Sequence, residues 1–364
     1  MNTIPLPPNR HDVSEGINLP GRILVALACG FLMALCIALL AQPGQARATH
    51  PLNQTDSTYT HTAYLPLAVR SPVWLNISTR QAAQSYYTNL YLTSDGADIG
   101  WTGNLDSCTP GTTSAAFRAT VVQRINYYRG MAGVPNAITL NDDYNLNAQA
   151  AALMMSRNST LDHTPPNNWS CYSASGYTGA SHSNLALGVY GPAAITLYMR
   201  DSGSSNAAAG HRRWILYPQT RQMGSGDLPP TTGHMPANAL YILDSHTWEA
   251  RPATREPYVA WPPPGYVPCP VVYARWSFAY AGADFSLAKV RMTSNGSSVN
   301  VSVPNVTNGY GENAIVWIPL GLNDGSLWPK PAADTLYHVT ISNVTISGVS
   351  RSFDYDVTIF DPAT

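Results

Sequence analysis

The stretch RPATREPYVAWPPPGYVPCP, residues 251–270, constrains this chain more than any other. Proline at that density can continue neither a helix nor a central strand, because it removes a backbone donor and fixes φ. The patterns on its two sides must therefore fold as different sets of elements. Downstream the apolar period is two. Val299, Val301 and Val303 alternate with polar residues, as do Phe353, Tyr355, Val357 and Ile359, and turn signals such as SNGS separate the runs. This predicts a C-terminal all-β sandwich over residues 265–364, reached through a Pro-rich linker at 251–264.

Upstream the period is helical. Thr113 or Ser114 can cap a helix carrying Phe117, Val121, Ile125 and Tyr128 on one face, ended by Gly133 and Pro135. Asn141 caps a second, with Asp142 and Asp143 in the first turn and Leu146, Ala150, Leu153 and Met154 along one face. A shorter helix is predicted over Pro192 to Arg200, then strands at Trp214 to Tyr217 and Ala239 to Leu243. Gly224 to Asp227 (GSGD) reads as a tight connection between strands. Residues 49–105 show no sustained period and read as a linker or extended arm with a strand or two.

Charge excludes one class of partner. Only 11% of residues are charged, against the usual quarter, and the formal net charge is −1, so no basic face for nucleic acid is available. Export is the expectation from the N-terminus. Arg10 and Arg22 precede the uncharged apolar run Ile23 to Leu40, and Ala46-Arg47-Ala48 is a small-x-small cleavage site. Residues 1–48 thus read as a signal peptide, or residues 23–40 as a retained membrane anchor. In an extracellular compartment Cys108 and Cys171 can form a disulfide, tying the segment before the first long helix to the loop after the second. Cys269 is then a spare, buried thiol.

Three histidines stand out by context: His163 in STLDHTPPNNWSC, His182 in GASHSNLALG and His211 in AAAGHRRWILYP. The order RINYYRGMAGVP, AQAAALMM, HTPP, SNLALG, GHRRWIL and MGSGD, from about Thr112 to Asp244, resembles the CAP superfamily. This is the SCP domain of cysteine-rich secretory proteins, insect venom antigens, plant pathogenesis-related proteins and many secreted bacterial proteins. The resemblance implies a domain over residues 106–250, an α-β-α sandwich whose surface cleft faces His163 towards His211, and in several members zinc or another divalent cation between them. The chain departs from the family where it matters chemically. No glutamate lies between Glu15 and Glu249, and His182-Ser183-Asn184 stands where a Gly-Glu-Asn triplet supplies a carboxylate. A Gly311-Glu312-Asn313 does occur, but beyond the prolines, where it reads as a turn leading into AIVWIP.

The cleft candidates are accordingly His163, His211, Ser183, Asn184 and Asp201, with His182 as a third metal ligand or an ordinary loop histidine. Asp201 either orients His211 or closes the preceding helix. Ser183 lacks the strand-turn-helix elbow of a serine hydrolase. Trp214 and Ile215 read as packing residues, and one of Arg212 and Arg213 as the partner of Asp142, Asp143 or Asp201. The expected fold class is α/β (α+β). The expected function is an extracellular binding module for a lipid, peptide or cell-surface ligand, without nucleic acid, and touching membrane only through an uncleaved N-terminus. A metal-dependent hydrolase of peptide or cell-wall substrates, and adhesion through the β domain, are the alternatives. The missing carboxylates weigh against general acid/base catalysis.

Overall fold

Helix α1 (Arg80–Tyr86) is the first element of this computed structural model, which describes residues 74–364. The expected signal segment 1–48 and its anchor alternative at 23–40 lie outside the described residues. Among those described, no helix is long and apolar enough to cross a membrane. Residues 80–94 are helical rather than the extended arm expected of 49–105. Thr79 caps α1, and the helical turns that follow stack Tyr87 on Tyr91 and lay Tyr91 against Tyr127 and Tyr128. The apolar content of this segment is carried by tyrosines, which a count of aliphatic period misses.

Helix α2 (Ala115–Ala132) starts where Ser114 Oγ accepts the Phe117 N–H at 3.1 Å and stops at Gly133, φ 77°. Helix α3 (Asp142–Asn158) is capped by Asn141, whose side chain accepts from the N–H groups of Asp143 and Tyr144. Helices α4 (Ala174–Ser181), α5 (Gly191–Arg200) and α6 (Gly210–Ile215) follow. Strands β1 (Thr139–Leu140), β2 (Ser183–Leu187), β3 (Gln222–Leu228) and β4 (Ala237–Tyr241) form a sheet ordered β1-β3-β4-β2, with β1–β3 parallel and the other pairs antiparallel. Leu185, Leu228 and Ala239 pack with α3 on one face, and Ala186, Met223 and Leu240 with α2 and α5 on the other. This is the α-β-α arrangement.

Three local expectations fail for identifiable reasons. Trp214 to Tyr217 is not a strand, because 210–215 turn helical as α6. GSGD is not a connection but the middle of β3. A Cβ on Gly226 would lie 2.1 Å from the Ala148 carbonyl carbon, so the glycines are there to let the α3 backbone lie directly on the sheet. Leu146 is 61% exposed, since α3 is enclosed only from Ala148 onward, between the sheet and α4.

Beyond the prolines come β5 (Val259–Trp261), β6 (Gly265–Pro268), β7 (Trp276–Ala279), β8 (Lys289–Ser294), β9 (Ser297–Val299), β10 (Val301–Ser302), β11 (Ala314–Pro319), β12 (Thr335–Ile346) and β13 (Val349–Phe360). They form sheets ordered β10-β11-β7-β5 and β6-β13-β12-β8-β9. Phe278 of one sheet meets Phe353 and Tyr355 of the other at ring distances of 5.1 and 6.2 Å. The 251–264 stretch is no free linker. It contributes β5, an edge strand whose Trp261 is fully buried; Pro252 and Pro257 precede it and Pro262 to Pro264 follow it, outside the ladder where no donor is needed. One apolar core runs through both parts. Tyr128 of α2 shares a 2.6 Å hydroxyl hydrogen bond with Tyr273 and packs its ring 5.2 Å from Trp261. The Cys108–Cys171 disulfide is formed, and Cys269 is a buried free thiol.

Candidate functional site

The first sheet ends at β2, which pairs only with β4, and a cleft of about 190 Å³ opens beside that free edge. His163 and His211 both line it, together with Leu161, Leu185, Leu187 and Leu197. Each histidine is delivered by a different layer. Beyond α3 the chain turns through Ser159 in the left-handed region, and Asp162 accepts the Thr164 N–H at 2.8 Å. His163 Nδ1 then donates to the Ala180 carbonyl, 2.9 Å away in α4. His211 sits in α6, and its Nδ1 donates to Asp201 Oδ1 at 2.7 Å.

Both partners are oxygen acceptors, so each Nδ1 carries its proton and each Nε2 is left for the cleft. The environments push the two rings apart. Burial lowers the His163 pKa, and the nearby His211 lowers it further against the Ala180 bond and Asp162. Burial also opposes charge on His211, but the Asp201 carboxylate outweighs it through its charge and its hydrogen bond, and the pKa is raised. One ring is therefore biased neutral, an Nε2 acceptor, and the other biased protonated, an Nε2–H donor.

Asp201 does both things expected of it as alternatives. It follows α5 in the left-handed region at φ 54°, and its carboxylate, 0% exposed, takes the His211 ring and the Arg212 N–H at 3.2 Å. Asn184 acts from behind, its Nδ2 donating to the His211 carbonyl at 3.1 Å. Ser183 is buried with Oγ unpartnered and does not line the cleft. His182 is also elsewhere. Its Nδ1 is shared between Ser181 Oγ and the Thr178 carbonyl, and its ring stacks on Tyr241 at 5.2 Å. The three-imidazole metal set is thus not assembled. Among the described residues no group of three or more His, Cys, Asp or Glu side chains is placed to hold a metal ion.

Sequence reasoning missed the support behind His211. Tyr198 lies 5.4 Å from that ring, and its hydroxyl donates to Asn238 Oδ1 at 2.8 Å. Asn238 Nδ2 in turn donates to Asp227 Oδ1 at 2.7 Å. Asp227 is fully buried, and burial raises its pKa against hydrogen bonds from Ser225, Gly191 and Asn238. The available signal was an acidic residue in a glycine strand with no basic neighbour. Arg212 touches Asp201 only through its backbone N–H, and neither the Arg212 nor the Arg213 guanidinium forms an ion pair with Asp142, Asp143 or Asp201. Arg212 reaches the carbonyls of Met199, Arg200 and Arg275, and Arg213 those of Ala208, Thr307 and Glu312. Burial lowers both guanidinium pKa values to about 10. Glu312 is buried against Arg251, away from the imidazoles.

Residues 122–229 match the family model for the cysteine-rich secretory protein family, CAP. No curated protein matches the chain. Among solved structures it is similar to PcoC, a methionine-rich copper resistance protein from Escherichia coli. The identity is 16%, over 28% of this chain and 92% of that one, with a TM-score of 0.21. The selenomethionine form of PcoC is similar at 13% identity over 30% of this chain and 99% of that one, also with a TM-score of 0.21. Likeness at that score carries no argument about fold or function.

Proposed function

We propose that the chain, whose residues 122–229 match the CAP family model, is an extracellular binding module whose cleft takes an apolar peptide segment. The observation that carries this is the pair of tied imidazoles at one apolar cleft. His211 Nε2–H is a donor for a peptide carbonyl, His163 Nε2 is an acceptor for a peptide N–H, and the four leucines accept apolar side chains. Strand β2 presents its unpaired edge at the same place, so an extended peptide can add hydrogen bonds along it. Asp201, the one carboxylate lining the cleft among the described residues, has a donor on each oxygen, which favours holding over hydrolysis. The Cys108–Cys171 disulfide supports an oxidising compartment.

A divalent cation is the second reading. Each ring's Nδ1 is tied to an oxygen, as in many metal-bound histidines. Zinc would be held by the Nε2 atoms of His163 and His211 alone, short of the three or four protein donors of a resident centre. The residues present do not fit such a centre, and nothing in the peptide reading passes through a metal.

The two readings separate by pH. N-acetyl-Leu-Leu amide should bind best between the two histidine ranges, weakening above the raised His211 value and below the lowered His163 value. His163→Gln and His211→Gln should each weaken it about tenfold. Zinc affinity measured by calorimetry would instead rise steadily with pH as protons leave both nitrogens. Peptide amide affinity indifferent to both substitutions would refute the first reading.

A further inference from the structure

We infer that Arg275 and Asp324, in the β-rich C-terminal part, are positioning residues for the cleft in the N-terminal part. The loop from Asp201 to Ala209 carries three cleft residues, Asp201, Ser202 and Asn206, and delivers His211. It is an uncomfortable loop. Asp201 at φ 54° and Ala209 at φ 51° place non-glycine residues in the left-handed region at both ends, a conformation that persists only where the surroundings enforce it. The enforcing group comes from outside the CAP domain. Arg275, just before β7 and 2% exposed, donates to the carbonyls of Asp201, Asn206 (2.9 Å) and Gly203 (3.2 Å). Nη2, which reaches Gly203, also meets Asp324 Oδ2 at 3.0 Å, and the same oxygen accepts the Gly203 N–H at 3.0 Å, while the buried Nε–H has no partner among the described residues.

A planar guanidinium offers several donors in a fixed fork, so one side chain holds three loop carbonyls in a single geometry. The hold is reciprocal. Arg212, next to His211, donates to the Arg275 carbonyl at 2.8 Å and to Ser277 Oγ at 3.2 Å. The two arginines therefore lock the cleft loop and β7 to each other, and the β-rich part completes the binding site rather than hanging from it. This assignment rests on the cleft being the binding site, and amide exchange tests it without a ligand.

In the full chain, Arg275→Met should speed hydrogen exchange of amides 202–209 about tenfold, while amides of α4 and of β12–β13 keep their rates. Asp324→Asn keeps the fork but loses its counter-charge and should speed the same amides about threefold. Arg275→Lys should fall between Arg275→Met and wild type. N-acetyl-Leu-Leu amide affinity should weaken in the same order at temperatures well below unfolding. Unchanged exchange at 202–209, or exchange that rises uniformly across the chain, would overturn the assignment. Should Arg275→Met fail to fold, the Asp324→Asn exchange pattern decides. Loss of peptide amide binding in wild type, with loop exchange still dependent on Arg275, would sink the functional reading and leave the loop assignment standing.

Discussion

Asp201→Asn removes one charge from the centre of the site while keeping its shape. Two donors converge on the carboxylate, His211 Nδ1–H at 2.7 Å and the Arg212 N–H at 3.2 Å, one on each oxygen. A carboxamide has one acceptor oxygen, so one donor is left facing an NH₂ in a place closed to water. An unpaired buried donor costs about 1–3 kcal/mol at any pH. While His211 is protonated, a buried charge also loses its partner, and the combined penalty reaches about 3–5 kcal/mol. The sign follows from the raised His211 pKa. Stability from the pair is fully present below the unfolded value and is lost as pH rises through the folded value. Urea unfolding of wild type and variant at about pH 5.5 and about pH 9 should therefore show the larger penalty at the acidic end, by about 2 kcal/mol. Other histidines titrate in both proteins and cancel in the double difference. Equal penalties at the two pH values would mean that His211 does not carry a proton charge beside Asp201, and a larger alkaline penalty would reverse the assignment; either result refutes the donor role of His211.

Two further outcomes test the frame. Gly226→Ala should destabilise the fold by at least about 3 kcal/mol in urea, because backbone rather than a flexible side chain occupies the space a Cβ needs. Reducing the Cys108–Cys171 bridge, or replacing both cysteines by serine, should lower stability by about 4 kcal/mol for a sequence separation of 63, with unfolding cooperativity retained; a loss under about 1 kcal/mol would mean the loop is already ordered in the unfolded chain.

Much of the helical part was legible because local rules and burial agreed there. Ser114, Gly133 and Asn141 cap as their side chains or lack of one dictate, and Phe117, Val121, Ile125 and Tyr128 are buried at helical spacing. Disagreement arose where long-range packing overrode a local signal. Glycines that normally mark a turn serve in β3 as clearance for α3, and prolines that normally mark a linker flank a buried edge strand. At the site, the pairing of His163 with His211 followed from motif order, whereas the absence of His182 and Ser183 from the cleft did not.

Residue type and spacing alone determined which chemistry the chain can offer: imidazoles with no glutamate between Glu15 and Glu249, a bridgeable cysteine pair, helices before the prolines and strands after them. These are properties of single side chains and of neighbours within a few residues, and they are written locally. Only the tertiary structure decided that Asp201 is spent on His211, that Tyr198, Asn238 and Asp227 stand behind it, and that Arg275 reaches its loop from 74 positions away in sequence. Such pairings depend on which backbone carbonyls and rings a folded core brings within hydrogen-bonding distance, and no spacing rule along one chain encodes that distance.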